Sequence, residues 1–292
     1  MQTGKPAVLI QKKEWVKQIN SLRTGNLIKD KAQIRDGINK LLIDAVKKRV
    51  PDKKFGIMFS GGVDSTLLSF ICKKLGYDFT CYSVGLDSSE DLKSAIAASS
   101  EIGFNLKHKV YSLIEAELII KKTAKVLGKN YSNVVNVGVG AVEVACLELA
   151  KNDKIIDFFG GLGSEEIFAG YERHEKSDNI NEECWSGLLN MWERDMVRDN
   201  LISSEYNVIF CTPFLDYDLI KFAMQIPDKY KIVGDSKKQI LREAAIAYGL
   251  PEKYAMRPKK AAQYGSSFDK ALLKIAKMSG FKYKSEYLKS LE

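Results

Sequence analysis

The chain has 292 residues, 45% of them apolar, and carries 45 Lys and Arg against 37 Asp and Glu for a formal net charge of +8. That length and apolar share suit one large globular domain or two small ones and exclude a disordered or fibrous chain. No apolar run approaches the length of a membrane span and no signal segment opens the sequence, so a cytoplasmic protein is expected. The basic excess is scattered in short runs such as Lys47-Lys48-Arg49, Lys237-Lys238 and Lys259-Lys260, the usual mark of a solvated face. Five cysteines, at 72, 81, 146, 184 and 211, show no Cys-x-x-Cys spacing. Buried thiols in a reducing compartment are expected rather than a zinc ribbon or a redox pair.

In chain order, Ala7-Val8-Leu9-Ile10 reads as a short strand and Lys13 to Leu22 as a short helix around Trp15, Val16 and Ile19. From Asp30, apolar residues at 34, 38, 41, 42, 45 and 46 keep helical spacing, with Asp30 as cap and Pro51 as stop. Phe55, Ile57, Met58 and Phe59 then read as a strand buried on both faces. It breaks into Ser60-Gly61-Gly62-Val63-Asp64-Ser65-Thr66 before a helix continues through Leu67 and Leu68. The glycines let the backbone turn sharply and approach a ligand, and Asp64 or Ser65 is the expected helix cap. The free N–H groups of the helix start, its dipole and the hydroxyls at 60, 65 and 66 predict a phosphate site. The Gly-x-x-x-x-Gly-Lys-Ser/Thr spacing of the common P-loop is absent.

Phe79 to Val84 reads as a second strand, followed by a helix started by Asp87-Ser88-Ser89-Glu90, a short strand at Leu106 to Tyr111, helices at Leu113 to Leu127 and Gly138 to Ala150, and a buried strand at Ile155 to Phe159. Strands alternating with helices predict an α/β fold with a doubly wound parallel sheet and ligands at the carboxyl ends of its strands. Beyond Tyr171 strand-like runs nearly vanish and helices are expected at 182–201, 216–226, 236–248 and 266–279. The expected organisation is a helical lead-in over 1–50, a nucleotide-binding core over 51–175 and a helical part over 176–292. No Pro- or Ser-rich linker separates them, so one continuous unit is expected.

After the last strand stands Gly160-Gly161-Leu162-Gly163-Ser164-Glu165-Glu166-Ile167-Phe168-Ala169-Gly170-Tyr171. Two carboxylates at the mouth of a phosphate site suit Mg²⁺, a hard cation that takes carboxylate and phosphate oxygens together. Acids in a helix first turn for dipole reasons would give the same pattern.

Residues 60–65 resemble the Ser-Gly-Gly-x-Asp-Ser PP-loop of the ATP pyrophosphatases, which cleave ATP between its α and β phosphates. Residues 161–171 are similar to the Gly-x-Gly-x-Asp-Glu-x-x-x-Gly-Tyr signature of the synthetase domain of asparagine synthetases. Ser83-Val84-Gly85-Leu86 with Asp91-Leu92, Thr212-Pro213-Phe214-Leu215-Asp216, Lys238-Gln239-Ile240-Leu241-Arg242-Glu243 and the ending Arg257-Pro258-Lys259-Lys260-Ala261-Ala262-Gln263-Tyr264-Gly265-Ser266 extend the likeness, most of all to the asparagine synthetase-like branch. The resemblance implies a PP-loop, adenine nucleotide alpha hydrolase-like fold with a helical C-terminal half, and ATP and Mg²⁺ as cofactors. It implies that Ser60, Gly61, Gly62, Asp64, Ser65 and Thr66 hold pyrophosphate and that Val84 and Gly161 border adenine and ribose, with Gly160 also in the cofactor site. Asp64 and Glu165 would ligate the metal, and Lys238 would meet the α-phosphate. The implied reaction is adenylation of a carboxylate followed by attack of ammonia or an amine.

This sequence departs from the family in three places. No cysteine precedes Cys72, so the glutaminase domain with its leading cysteine is not expected; Leu162 stands where a glutamate is usual; and residues 131–145 contain no arginine to hold an aspartate carboxylate. Glu165 replaces the usual aspartate at unchanged charge. The expected partners are a small carboxylate and ammonia or an amine, with a separate glutaminase subunit and a homo-oligomer left open and neither nucleic acid nor membrane expected. A PP-loop tRNA-modifying enzyme and a nucleotide-binding regulatory subunit remain as alternatives. His108 is expected to be structural, while His174 leaves the second glycine loop.

Overall fold

A computed structural model describes residues 9–258 and 260–291. Five parallel strands form one sheet in the order β3-β2-β1-β4-β5: β1 Phe55–Met58, β2 Phe79–Leu86, β3 Leu106–Tyr111, β4 Asp157–Phe159 and β5 Ile209–Cys211. Parallel strands need crossovers, and helices supply them: α1 Lys12–Ser21 and α2 Lys31–Lys47 precede the sheet, followed by α3 Val63–Lys74, α4 Glu90–Ile102, α5 Leu113–Tyr131 and α6 Val134–Ala150. The order reverses between β1 and β4, which pair through Gly56 with Phe158 and Ile57 with Phe159. Both glycine loops therefore emerge at the switch point, the place where such sheets bind ligands.

The pleat sends alternate side chains to two cores. Phe55, Ile57, Phe159 and Cys211 pack with α2, α3 and the later helix Gln239–Ala247 on one face, and Tyr82, Val84 and Phe158 pack with α5, α6 and the helix Phe268–Met278 on the other. At about 2 kcal/mol for each large apolar side chain buried, this two-sided burial is what holds a four-residue strand at the centre of the sheet. All five cysteines are buried and free. Among the described residues no helix is long and apolar enough to cross a membrane.

Several local expectations are met. The Asp30 side chain caps α2 by accepting from the Gln33 N–H, and Ser89 caps α4. Others are corrected. Ala7 and Val8 lie outside the described residues, and Leu9 and Ile10 form no strand; the Ile10 carbonyl instead accepts from the Trp192 indole at 2.7 Å. The helix expected from Gly138 begins at Val134, because the Asn133 side chain accepts from the Val135 and Asn136 N–H groups. The single helix expected over 182–201 is Ile180–Met191, a wide π turn at Trp192–Met196 and Val197–Tyr206. The sequence reading missed β5, whose three residues pair, among the described residues, only with β4 and run straight into Thr212-Pro213. Finally, neither Asp64 nor Ser65 caps α3. Gly62 does, in an extended conformation, which leaves Asp64 in the first turn with its carboxylate turned toward the cleft.

Candidate active site

The loop after β1 is held by its own hydroxyls. Ser65 Oγ and Thr66 Oγ1 donate to the Gly62 carbonyl at 3.3 and 2.7 Å, and Ser60 Oγ accepts from the Gly62 N–H at 3.3 Å. Gly61 has φ +67°, and a Cβ there would lie 2.7 Å from the Ala95 backbone nitrogen, so only glycine fits. Ser60, Gly62, Asp64 and Ser65 line a cleft of about 480 Å³, as do Val84, Gly160, Gly161 and Glu165. Gly61 and Thr66 do not line it; Thr66 is fully buried and spends its hydroxyl inside the loop.

The loop after β4 brings the second group of expected residues to the same place. Lys238 Nζ donates to Asp64 Oδ2 at 2.6 Å, to Glu165 Oε1 at 2.6 Å and to Ser164 Oγ at 2.9 Å, so three segments far apart in sequence meet at one ammonium. Lys238 is fully buried and adopts a left-handed backbone with φ 56°, a strained conformation for a residue with a Cβ. Burial pulls its pKa down, and the adjacent Asp64 and Glu165 carboxylates more than offset this, so the ammonium is held above its ordinary value. Gly170 makes the contact possible: a Cβ there would lie 1.6 Å from Glu165 Oε2 and 2.5 Å from Lys238 Cε. Lys237, its neighbour in sequence, pairs instead with Glu175 at 2.8 Å.

Glu166 corrects the expectation of two acids side by side at the phosphate mouth. One step along a helix turns its side chain away, and it is fully buried against Arg194 at 2.5 Å, with burial raising its pKa. His174 is also fully buried; its Nδ1 accepts from the Tyr171 N–H at 3.1 Å, and burial together with Arg173 pushes its pKa down to about 3. It is a neutral structural group. His108 lies exposed on β3.

Two cations were missed by the sequence reading. Arg257 Nη1 donates to the Ser60 carbonyl at 2.9 Å and Nη2 to Asp91 Oδ1 at 2.6 Å, tying the C-terminal loop to the first glycine loop. Arg242, one turn after Lys238, lines the cleft and donates to the Ala255 and Arg257 carbonyls. Both stood inside quoted motifs, but nothing local says that they converge. The cleft's far end carries a further polar group. Arg198 pairs with Asp195 at 3.2 Å, Asp199 at 2.5 Å and Glu143 at 3.3 Å, and Arg194 with Asp195 at 2.6 Å. Burial pushes the Glu143 and Asp199 carboxyls up. The arginines absent from residues 131–145 thus arrive from the π turn and the helix after it.

A parallel sheet in this order, with a lysine-free glycine loop after the central strand and an acid-lysine clamp at the switch point, defines a doubly wound α/β protein with its candidate site at the carboxyl ends of the strands. The family model for asparagine synthase matches residues 37–186 and 174–282. A Methanocaldococcus jannaschii relative whose name places it among the glutamine-hydrolyzing asparagine synthetases is 30% identical over 91% of this chain and 57% of its own length. Asparagine synthetase B (glutamine-hydrolyzing) of Escherichia coli K12 is 28% identical over 82% of this chain and 47% of its own. Among solved structures, NMN synthetase from Francisella tularensis is similar at a TM-score of 0.35 and 14% identity, covering 80% of this chain and all of that one. The chain belongs to the asparagine synthase family and spans about half the length of the curated relatives it matches.

Proposed function

We propose that the chain is an ATP-dependent carbon–nitrogen ligase that adenylates a carboxylate, releases pyrophosphate and transfers the acyl group to ammonia or an amine. The observation that carries this reading is the Lys238 ammonium held between Asp64 and Glu165, beside the glycine cradle at the sheet's switch point. Attack of a carboxylate oxygen on the α-phosphorus builds negative charge on the non-bridging oxygens and on the departing pyrophosphate. A fixed ammonium stabilises the first, and the loop N–H groups with Arg242 and Arg257 suit the second. Ser60 and Ser65 line the same cradle, while Gly61 and Thr66 shape it from behind. Val84, Gly160 and Gly161 line the same cleft and suit the nucleoside.

Among the described residues no cluster of three or more His, Cys, Asp or Glu side chains could hold a metal by itself. Mg²⁺ does not need one, since it is commonly held by one or two carboxylates together with substrate phosphates. Asp64 and Glu165 fit that role: the second Asp64 oxygen, Oδ1, is buried without a hydrogen-bond partner, and the donors are hard oxygens. Bound there, Mg²⁺ would supply charge neutralisation for the pyrophosphate.

Incubating the protein with Mg-ATP and a panel of amino and other carboxylic acids tests the reading by pyrophosphate exchange into ATP and by product analysis. Acid-dependent exchange with AMP as the nucleotide product is expected. ADP and orthophosphate as products would refute it.

A further inference from the structure

Gln263 lines the cleft, is 7% exposed and makes no side-chain hydrogen bond among the described residues; its Oε1 is buried without a partner. A carboxamide oxygen that has lost water and gained no donor costs stability, so buried ones are normally satisfied. Its position is fixed. The Leu86 N–H donates to the Ser266 carbonyl and Ser89 Oγ to the Gly265 carbonyl, each at 3.0 Å, while Gly138 on α6 lets the side chain approach so closely that a Cβ there would lie 3.3 Å from Gln263 Cβ. The side chain is thus preorganised, with its oxygen left for a donor that enters the cleft.

The lining of the cleft says which group. Its phosphate end is polar and cationic, and its far end carries the Arg198 acids. Met58, Val84, Val135, Val139 and Val142 add an apolar share to the lining, with Gln263 packed on the α6 side at Gly138. A planar ring with apolar faces and a polar edge fits there. A carboxamide offers an acceptor and a donor side by side, and the adenine edge offers the complement, the 6-amino group next to a ring nitrogen. We propose that Gln263 reads the adenine base of ATP, Oε1 accepting from the 6-amino group and Nε2 donating to the adjacent ring nitrogen. This rests on the ATP reading above and adds the residue that discriminates the base.

The test measures binding by calorimetry with the full chain and Mg²⁺, without acid substrate, for three probes: ATP, purine riboside triphosphate, which lacks the 6-amino group, and inorganic pyrophosphate. Wild type is expected to prefer ATP over purine riboside triphosphate about tenfold, the effect of one preorganised hydrogen bond. Gln263→Leu keeps volume and burial but should bind the two nucleotides equally, with pyrophosphate affinity unchanged. A Leu variant that keeps the preference overturns the assignment, as does one that loses pyrophosphate affinity in step with ATP, which would mark a structural role. Should that variant not fold, Gln263→Asn, which withdraws the amide by one methylene, must abolish the preference, and its persistence overturns the proposal. Wild-type protein that binds neither nucleotide refutes the ATP reading itself, whereas wild type that binds ATP without preferring it over purine riboside triphosphate refutes only the role of Gln263.

Discussion

Replacing Lys238 by methionine removes one charge at nearly constant length and separates what the lysine does for the fold from what it does for the chemistry. The ammonium stands 2.6 Å from both Asp64 Oδ2 and Glu165 Oε1. Without it two carboxylate oxygens, each 2.6 Å from the same nitrogen and so no more than about 5 Å apart, face each other, and unit charges repel there by about 3 kcal/mol or more at an effective dielectric of 20. The acid side chains are 18% and 14% exposed, so water screens part of this. A net destabilisation of about 2 kcal/mol is expected at pH 7.5, read as a lower urea midpoint with unchanged slope. Millimolar Mg²⁺ should restore much of that stability, because a cation then sits between the same acids. Turnover should not recover. The rate of pyrophosphate exchange should stay down by about a hundredfold or more, since the ammonium that the proposed reaction needs at the α-phosphate is gone. A variant as stable as wild type without Mg²⁺, or one exchanging within threefold of it, would refute the reasoning.

The Gly170→Ala methyl would enter at 1.6 Å from Glu165 Oε2 and 2.5 Å from Lys238 Cε, so it must spread the clamp. A stability loss of about 1–3 kcal/mol and at least a tenfold slower exchange are expected, and a wild-type exchange rate would rule this out. His174 has its folded pKa pushed down to about 3, whereas an unfolded histidine titrates near ~6.5, so the unfolded chain binds the extra proton between those values. Its contribution is complete above the window and is lost as pH falls through it. A His174→Gln variant should lose one proton from the acid limb of stability against pH, and an unchanged slope between pH 4 and 6 would show that another group controls that limb.

What was legible in the sequence was what neighbours in sequence decide. Ser60 to Thr66 announce a tight loop and a helix start because glycines and small hydroxyls act within one turn of where they stand. Asp30 caps α2 for the same reason. The alternation of strand and helix gave the parallel sheet, since each buried run is bounded by its own turn signals. The misses are non-local. β5 is a three-residue strand whose only sheet partner among the described residues is β4, more than forty positions earlier, and no period can appear in so short a run. Glu165 and Glu166 look equivalent side by side, yet one residue of helix rotates the second away to Arg194, which lies beyond an intervening helix. Arg257 acquires its place only when the C-terminal loop reaches Ser60 and Asp91. Chemistry carried within a loop could be read; convergence between loops could not.

The same convergence bears on the acid that the proposed ligase would activate. An aspartate substrate brings a second carboxylate, which needs a cation not already neutralised. The sequence placed no arginine in residues 131–145, and the structure supplies Arg194 and Arg198 from elsewhere. Arg194 and Arg198, however, are already engaged, Arg194 by Glu166 and Asp195 and Arg198 by Asp195, Asp199 and Glu143, while Arg173 pairs through Nε with Glu183 at 2.8 Å and keeps a buried Nη2 without a hydrogen-bond partner. Breaking a buried pair of this kind leaves an uncompensated charge and costs about 3–5 kcal/mol, as much as a new pair with substrate would return. Leu162, which also lines the cleft, adds an alkyl chain that can neither steer ammonia nor accept a proton from it. Aspartate with ammonium is therefore expected to support exchange and amide formation poorly, at least a hundredfold below the best acid in a panel. Leu162→Glu should not rescue it, because Arg194 and Arg198 remain neutralised by their own acids. Robust ATP-dependent asparagine formation by the wild-type chain, measured by chromatography of the products, would show that one of these ion pairs opens for substrate and would overturn the inference.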